Sequence, residues 1–484
     1  MKHNKYNLGL LIIWVVVVAG FTSSCKKLNE KPMSFADPAN FYKNTTQVES
    51  ALAGAMNSLW DYWGGYQYAQ AVFFNDDQYS NGNLVIENNH GAFLWTNHFE
   101  AIKNLNLAIG AMRKGSMGTN TAQAEVDELI AQCRFIRAHN YFMLVRMFGG
   151  LPLVTDETPD ETLNDMSRSS VADVYALIVE DFKYAADHLP ATWPTEKRGR
   201  PTSGAAKALL AKAYLTMATY PLNDTKNYEN AANYANQVIQ EANYSLVADI
   251  SKLFSLETKY GPEMMWSYNS NYADQTAHNQ IYRGWSETGF GFGGWGDITV
   301  EPEWAELYPA SPRKSAFLLT ETEAGKPYTS WGDPRPLVRK FMYDKPEDYD
   351  NSVSVTNMPI IRFADVLLIF AEAENMAKGG PTQDAVDAVN RVIDRAENFT
   401  PNPLHPRLTT AMTKEAFDTA VINERNLELC FEYDRWFDLI RKRILKQKTV
   451  ARFQQNFTES DYLFPIPDNE ILLNKNLAQN PGYN

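Results

Sequence analysis

The chain has 484 residues, 44% hydrophobic, 13% aromatic and 21% charged, and its 45 Lys and Arg against 58 Asp and Glu leave a formal charge of −13. That share of apolar side chains can fill a sizeable core and excludes a largely disordered chain, while 24 prolines and 26 glycines spread without a period exclude a fibre or a coiled coil. The acidic balance repels a polyphosphate backbone and no Lys/Arg cluster offsets it, so nucleic acid is excluded as a partner.

The first residues read as an export signal. Lys2, His3 and Lys5 form a basic start, Leu8 to Gly20 an apolar run of 13 residues, and Phe21-Thr22-Ser23-Ser24 leads into Cys25. A permanent span needs roughly 20 apolar residues, so residues 1–24 are predicted to be removed rather than kept in the membrane. Small residues directly before a cysteine resemble a bacterial lipobox, with Cys25 acylated and a tether over residues 25–40. Thr22 stands where such boxes usually carry Leu, and the alternative is a secreted chain with an incidental cysteine.

Beyond the tether the pattern is helical. Leu129, Cys133, Ile136, Asn140, Leu144 and Met147 recur at steps of three or four, predicting a helix from about Thr121 to Phe148 that Gly149-Gly150 and Pro152 terminate. Val171 to about Leu189 follows the capping candidates Ser169 and Ser170 and ends at Pro190. Ser203 to Ala218, Tyr228 to Ala242, Phe363 to Ala377 and Thr382 to Ala396 complete three helical hairpins of tetratricopeptide length, the last split by Gly379-Gly380-Pro381. Cys133 and Cys430 lie on such amphipathic stretches, and whether they pair is open.

Two regions read as irregular: Trp60 to Trp95, and Glu257 to about Asn357 with a strand-like Met264 to Tyr268. Long loops inside a compact domain are uncommon and often bind ligands. Gly289-x-Gly291-x-x-Gly294 spells a dinucleotide fingerprint, but Phe290, Phe292 and Pro302 deny it the strand and helix that the fingerprint needs. Asp76-Asp77 and Asp297 to Glu301 are the acids that a glycosidase pair would use; polar loop residues or helix caps explain them more simply. The histidines lack metal spacing and no nucleophile elbow or phosphate loop occurs, so neither metal, cofactor nor catalysis is predicted.

From Glu424 a polar stripe runs through Glu428, Glu432, Arg435, Asp438 and Lys442 at steps of three or four, with Ile422, Leu429, Tyr433, Phe437 and Ile440 behind it. This predicts one long helix whose ion-pair ladder locks it to its neighbours.

The segment from Asn423 to Arg441 resembles the C-terminal hallmark of the SusD/RagB family of Bacteroidetes outer-membrane nutrient-binding lipoproteins. Cys25-Lys26-Lys27-Leu28-Asn29-Glu30-Lys31-Pro32, Arg134 to Ala138 through Phe148-Gly149-Gly150-Leu151-Pro152, Asp333-Pro334-Arg335, Arg362 to Ala373 and the ending Pro465 to Tyr483 resemble further family segments in order. The resemblance implies a mainly α fold of tetratricopeptide-like pairs, about 100–250 and 360–445, as one domain over 25–484. A loop-rich region with a few short strands, about 60–95 and 257–357, would carry the ligand. It also implies a lipid anchor at the outer membrane and a SusC-like TonB-dependent transporter as partner. The resemblance implies exposure at the cell surface; surface members often carry acids just after the lipidated cysteine, where this chain has Lys26 and Lys27, so a periplasm-facing anchor is the alternative.

A sugar ring offers an apolar C–H face and a rim of hydroxyls, so its binder needs flat aromatic platforms and in-plane donors and acceptors. On composition within the loops, Trp285, Trp295 and Tyr282 are the candidate platforms, and Arg283, Asp77, Asn81, Asn83, Asn89 and His90 the polar contacts. Trp95, Trp266 and Trp436 read as core, while Trp60, Trp63 and Trp331 are undecided. Glycan is the expected cargo; peptide capture, as in the RagB branch, is the alternative, with a glycoside hydrolase behind both.

Overall fold

The computed structural model describes residues 41–59, 78–80, 88–158, 162, 165–269, 298–322, 325–341, 356–432, 434–448 and 457–483. The chain divides into residues 1–41 and a folded unit, Tyr42–Asn484. In that unit α1 (Thr45–Leu59), α2 (Asn88–Arg113), α3 (Gln123–Phe148), α4 (Val171–His188), α5 (Ser203–Met217) and α6 (Asn227–Glu241) each pack on the next, and a short strand β1 (Gln78–Ser80) falls between α1 and α2. This is the stacking of helical repeats, in which one pair cannot cover its own apolar face and its neighbour does.

Of the two capping candidates Ser170 caps α4, and Thr202, not singled out in the sequence, caps α5. The hydroxyls of Ser170 and Thr202 accept from Asp173 N and Ala205 N, both at 3.1 Å, at the starts of α4 and α5. Gly149 ends α3 at φ +77°, a conformation that favours glycine. From Leu129 onward α3 is buried on almost every side rather than on one face, because α2 and α4 grip it from both flanks. Its buried Arg137 donates to both oxygens of Asp181 on α4, at 2.7 and 2.9 Å, and to Asn106 on α2 at 2.7 Å.

After α6 the stack is interrupted. The described segments between α6 and Phe363 add no helix pair to it, and α9 (Phe363–Lys378) then packs on α6 as the next repeat helix would, with α10 (Gln383–Ala396) and α11 (Lys414–Glu428) on α9. The excursion has a two-stranded stem: β2 (Met264–Tyr268) pairs antiparallel with β6 (Met358–Arg362), Met264 facing Arg362 and Tyr268 facing Met358. Beyond the stem come β3 (Ile298–Val300), α7 (Pro302–Leu307), α8 (Pro312–Phe317) and the paired β4 (Leu318–Leu319) and β5 (Leu337–Val338). Short helices α12 (Arg435–Arg441), α13 (Leu445–Lys448) and α14 (Asp468–Leu473) follow α11.

Two expectations need correction. Residues 88–95 are helical, not irregular: Leu94 and Trp95 are buried, and the Trp95 ring meets Phe148 edge-on at 5.1 Å, so tertiary contact overrides the breaker-like Asn88-Asn89-His90-Gly91. The polar stripe is not one helix. α11 ends at Glu428 and α12 begins at Arg435, with Phe431 between them at φ +63°, which a continuous α-helix excludes.

Candidate ligand-binding site

The two irregular regions meet. β1 pairs antiparallel with β3, with Gln78 facing Val300, Tyr79 facing Thr299 and Ser80 facing Ile298. One strand comes from each candidate loop, so the ladder makes neighbours of segments that lie far apart in the chain. β3 is held by a further segment as well, since Val300 N donates to Pro336 O at 3.0 Å, and both Thr299 and Val300 are buried.

Most of the predicted contact residues lie outside the described residues: Asp77, Asn81, Asn83, Tyr282, Arg283, Trp285 and Trp295. The export signal, Cys25, the tether, Trp60, Trp63, Asp76 and the glycines from Gly289 to Gly294 lie outside them too. Asn89 and His90 fall in the first turn of α2, on a helix rather than a loop. Asp77 and Asn81 are the chain neighbours of β1, and Trp295 stands shortly before β3.

The stem docks on the repeat stack through aromatic rings. Trp266 of β2 meets Phe135 at 4.6 Å and His139 at 5.0 Å, both edge-on, and His139 Nε2 lies 3.2 Å from the Tyr268 hydroxyl. Trp95, Trp266 and Trp436 are buried core residues, as their patterned surroundings suggested. Trp331 is buried too and donates from Nε1 to Lys326 O at 3.1 Å, so it packs.

At the root of the excursion, four cations and four carboxylates form one buried network. Arg362 donates from Nη1 to Glu263 at 2.7 Å and from Nε to Glu432 at 2.8 Å, and it lies 2.7 Å from Glu428. Arg395 of α10 reaches Glu263 at 2.7 Å and also pairs with Glu428. Arg313 pairs with Glu424 and, at 2.9 Å, with Glu428; Lys340 reaches Glu432 at 2.5 Å. Burial alone would raise the Glu428 pKa, but Arg395, Arg362, Arg313 and Lys340 hold it far below the carboxylate range. For Glu424 burial wins over Arg313 and the pKa rises.

Of the stripe, Glu424, Glu428 and Glu432 belong to this network, and Asp438 and Lys442 to a second. In the second, Arg425 bridges Asp365 at 2.6 Å and Asp438 at 2.8 Å, Arg441 joins Asp438 to Glu372, and Lys442 reaches Asp418 at 2.6 Å. The roles of Glu263, Arg313, Lys340 and Arg395 were not legible in the sequence, since they come from four separate segments. Among the described residues, no cluster of three or more His, Cys, Asp or Glu could hold a metal, and no helix is long and apolar enough to cross a membrane.

A stack of paired helices that carries a loop excursion on a buried ionic root defines a helical-repeat scaffold protein with a grafted loop face. Residues 316–483 match the model of the SusD family, and residues 24–215 match a model described as "Starch-binding associating with outer membrane". The chain belongs to the SusD-like family. SusD-like protein P2 of Formosa agariphila is 28% identical, over 99% of this chain and 100% of that protein. A SusD homolog from Bacteroides thetaiotaomicron superposes with a TM-score of 0.80 at 22% identity, over 92% of this chain and 98% of its own. A structure named "Laminarin binding SusD-like protein" gives 0.71 at 22% identity, over 91% and 100%.

Proposed function

We propose that the chain binds oligo- or polysaccharide without altering it, at the outer membrane, and passes it to a SusC-like TonB-dependent transporter. The observation that carries this reading is the β1–β3 ladder, which joins the two loops whose composition suits a sugar. The family model's association with starch and the outer membrane, and the laminarin named for a structural neighbour, support the same reading. Acylated Cys25 is the proposed anchor, with residues 25–40 as its tether. Trp285, Trp295 and Tyr282 supply ring platforms, and Arg283, Asp77, Asn81, Asn83, Asn89 and His90 supply polar contacts.

A few stacks and hydrogen bonds give micromolar to millimolar affinity, about −8 to −4 kcal/mol, which suits a receptor that must release its cargo. The test uses the chain from residue 26 in affinity electrophoresis against a polysaccharide panel and in calorimetry against oligosaccharides and oligopeptides. Retention by a polysaccharide, lost in Trp285→Ala and Trp295→Ala, is the expected result. Binding of peptides alone would replace the glycan reading, and reducing ends accumulating with time would overturn the non-catalytic one.

A further inference from the structure

A cavity of about 230 Å³ opens between the α4–α5 connection, the segment after α6 and the start of β2, and it shares no lining residue with the β1–β3 ladder. It is lined by the aromatic residues Trp193, Tyr244, Tyr260 and Trp266, its charged lining residues are Arg198 and Arg200, and no carboxylate lines it among the described residues. In a chain of formal charge −13 such a recess is a local reversal of sign.

Hydrogen bonds and cation–ring contacts fix its shape, with Arg200 over the Trp193 ring at 5.5 Å. Trp193 Nε1 donates to Pro201 O at 2.8 Å, and the Tyr244 hydroxyl lies 2.7 Å from that of Thr202. Gly199 turns the chain at φ +93°, where a Cβ would stand 2.7 Å from Asn269 Nδ2 and 3.1 Å from Tyr260 Cε1, so only glycine lets the turn close. The turn sets the Arg198 guanidinium 5.0 Å from the Tyr260 ring centroid. Arg200 is occupied by Glu49 at 2.6 Å, whereas Arg198 is exposed and makes no ion pair among the described residues. A guanidinium stacked by its face keeps its edge donors, which match a carboxylate or sulfate in a fork.

We infer that this recess binds the acidic group of an anionic sugar residue, a uronate or a sulfate ester, with Arg198 on the anion and the aromatic walls against the ring. The inference rests on the glycan reading for its ligand class, but on different residues. The probes are a galacturonate trimer, its methyl ester and a sulfated galactose trimer, titrated into the chain from residue 26 at low and high salt.

One acidic probe should bind about tenfold tighter than the ester and lose about tenfold in Arg198→Gln, as expected for a charge-assisted hydrogen bond. Whichever acid responds identifies the source of the anion. Arg198→Gln should leave retention by a neutral polysaccharide unchanged, so failure of the loop assignment and failure of this inference are distinguishable. Because Arg198 is exposed, its variant should melt with the parent. Equal binding of ester and acids, or acid binding that Arg198→Gln does not weaken, overturns the inference.

Discussion

Arg362 and Glu263 close the stem of the loop excursion, with Nη1 2.7 Å from Oε1, and the second oxygen of Glu263 takes Arg395 of the repeat stack at the same distance. One carboxylate thus ties the excursion to the scaffold. Both partners of the stem pair are fully buried, so removing Arg362 leaves four buried carboxylates facing three cations, an uncompensated charge in a low dielectric. Arg362→Met should lower stability by about 3–5 kcal/mol, read as a fall in the denaturant midpoint. An unchanged midpoint would mean that the network does not hold the excursion.

A second clasp joins the exit of α3 to the C-terminal segment. Arg168 donates to Gly150 O at 2.7 Å, Phe148 O at 2.7 Å, Ala478 O at 2.8 Å and Asn480 Oδ1 at 2.8 Å. Arg168→Ala should loosen residues 457–483 while the helical stack persists. Limited proteolysis should then cut near the C-terminus faster at unchanged helical circular dichroism; an unaltered cleavage rate would count against the clasp.

The buried His98 and His139 set an acid limit. Burial brings His98 down to about 4, and His139 falls well below its ordinary value through burial and the nearby charges of His98, Arg146 and Lys212. The unfolded chain takes up these protons near pH 6.5 and the folded chain does not, so their contribution is complete above about pH 6.5 and is lost as pH falls toward about 4. Melting temperature should decline over that window, less steeply in His98→Gln. Equal slopes would remove His98 as the cause.

Cys133 and Cys430 are buried thiols, and burial pushes Cys133 up to about 12. A thiol-reactive dye should label neither in the native chain from residue 26 and both after unfolding. Native labelling would contradict the packing around them.

The sequence carries the repeat helices well because their signals are local: Gly149 stops α3, and Ser170 caps α4 where a hydroxyl precedes apolar periodicity. It hides α2's first turn, since the contact that holds Trp95 comes from Phe148 on another helix. It also hides the break after Glu428, because the charge spacing runs on across residues 429–434 while the chain turns at Phe431. The same limit applies to the site. Composition marks both loops, but the pairing of Tyr79 with Thr299 is a long-range event that no local pattern encodes.

That pairing makes the sharpest test of the proposed loop face. Bonded and non-bonded pairs alternate along an antiparallel ladder, so one of two adjacent β1 residues must donate to β3. Of Gln78→Pro and Tyr79→Pro, at least one therefore removes a ladder donor. A two-stranded ribbon contributes little stability by itself, and β3 keeps its bond to Pro336. The disrupting variant should melt close to the parent yet lose about tenfold in polysaccharide affinity, roughly one good charge-assisted contact. Parent-like retention in both variants would show that the two loops do not act as one surface.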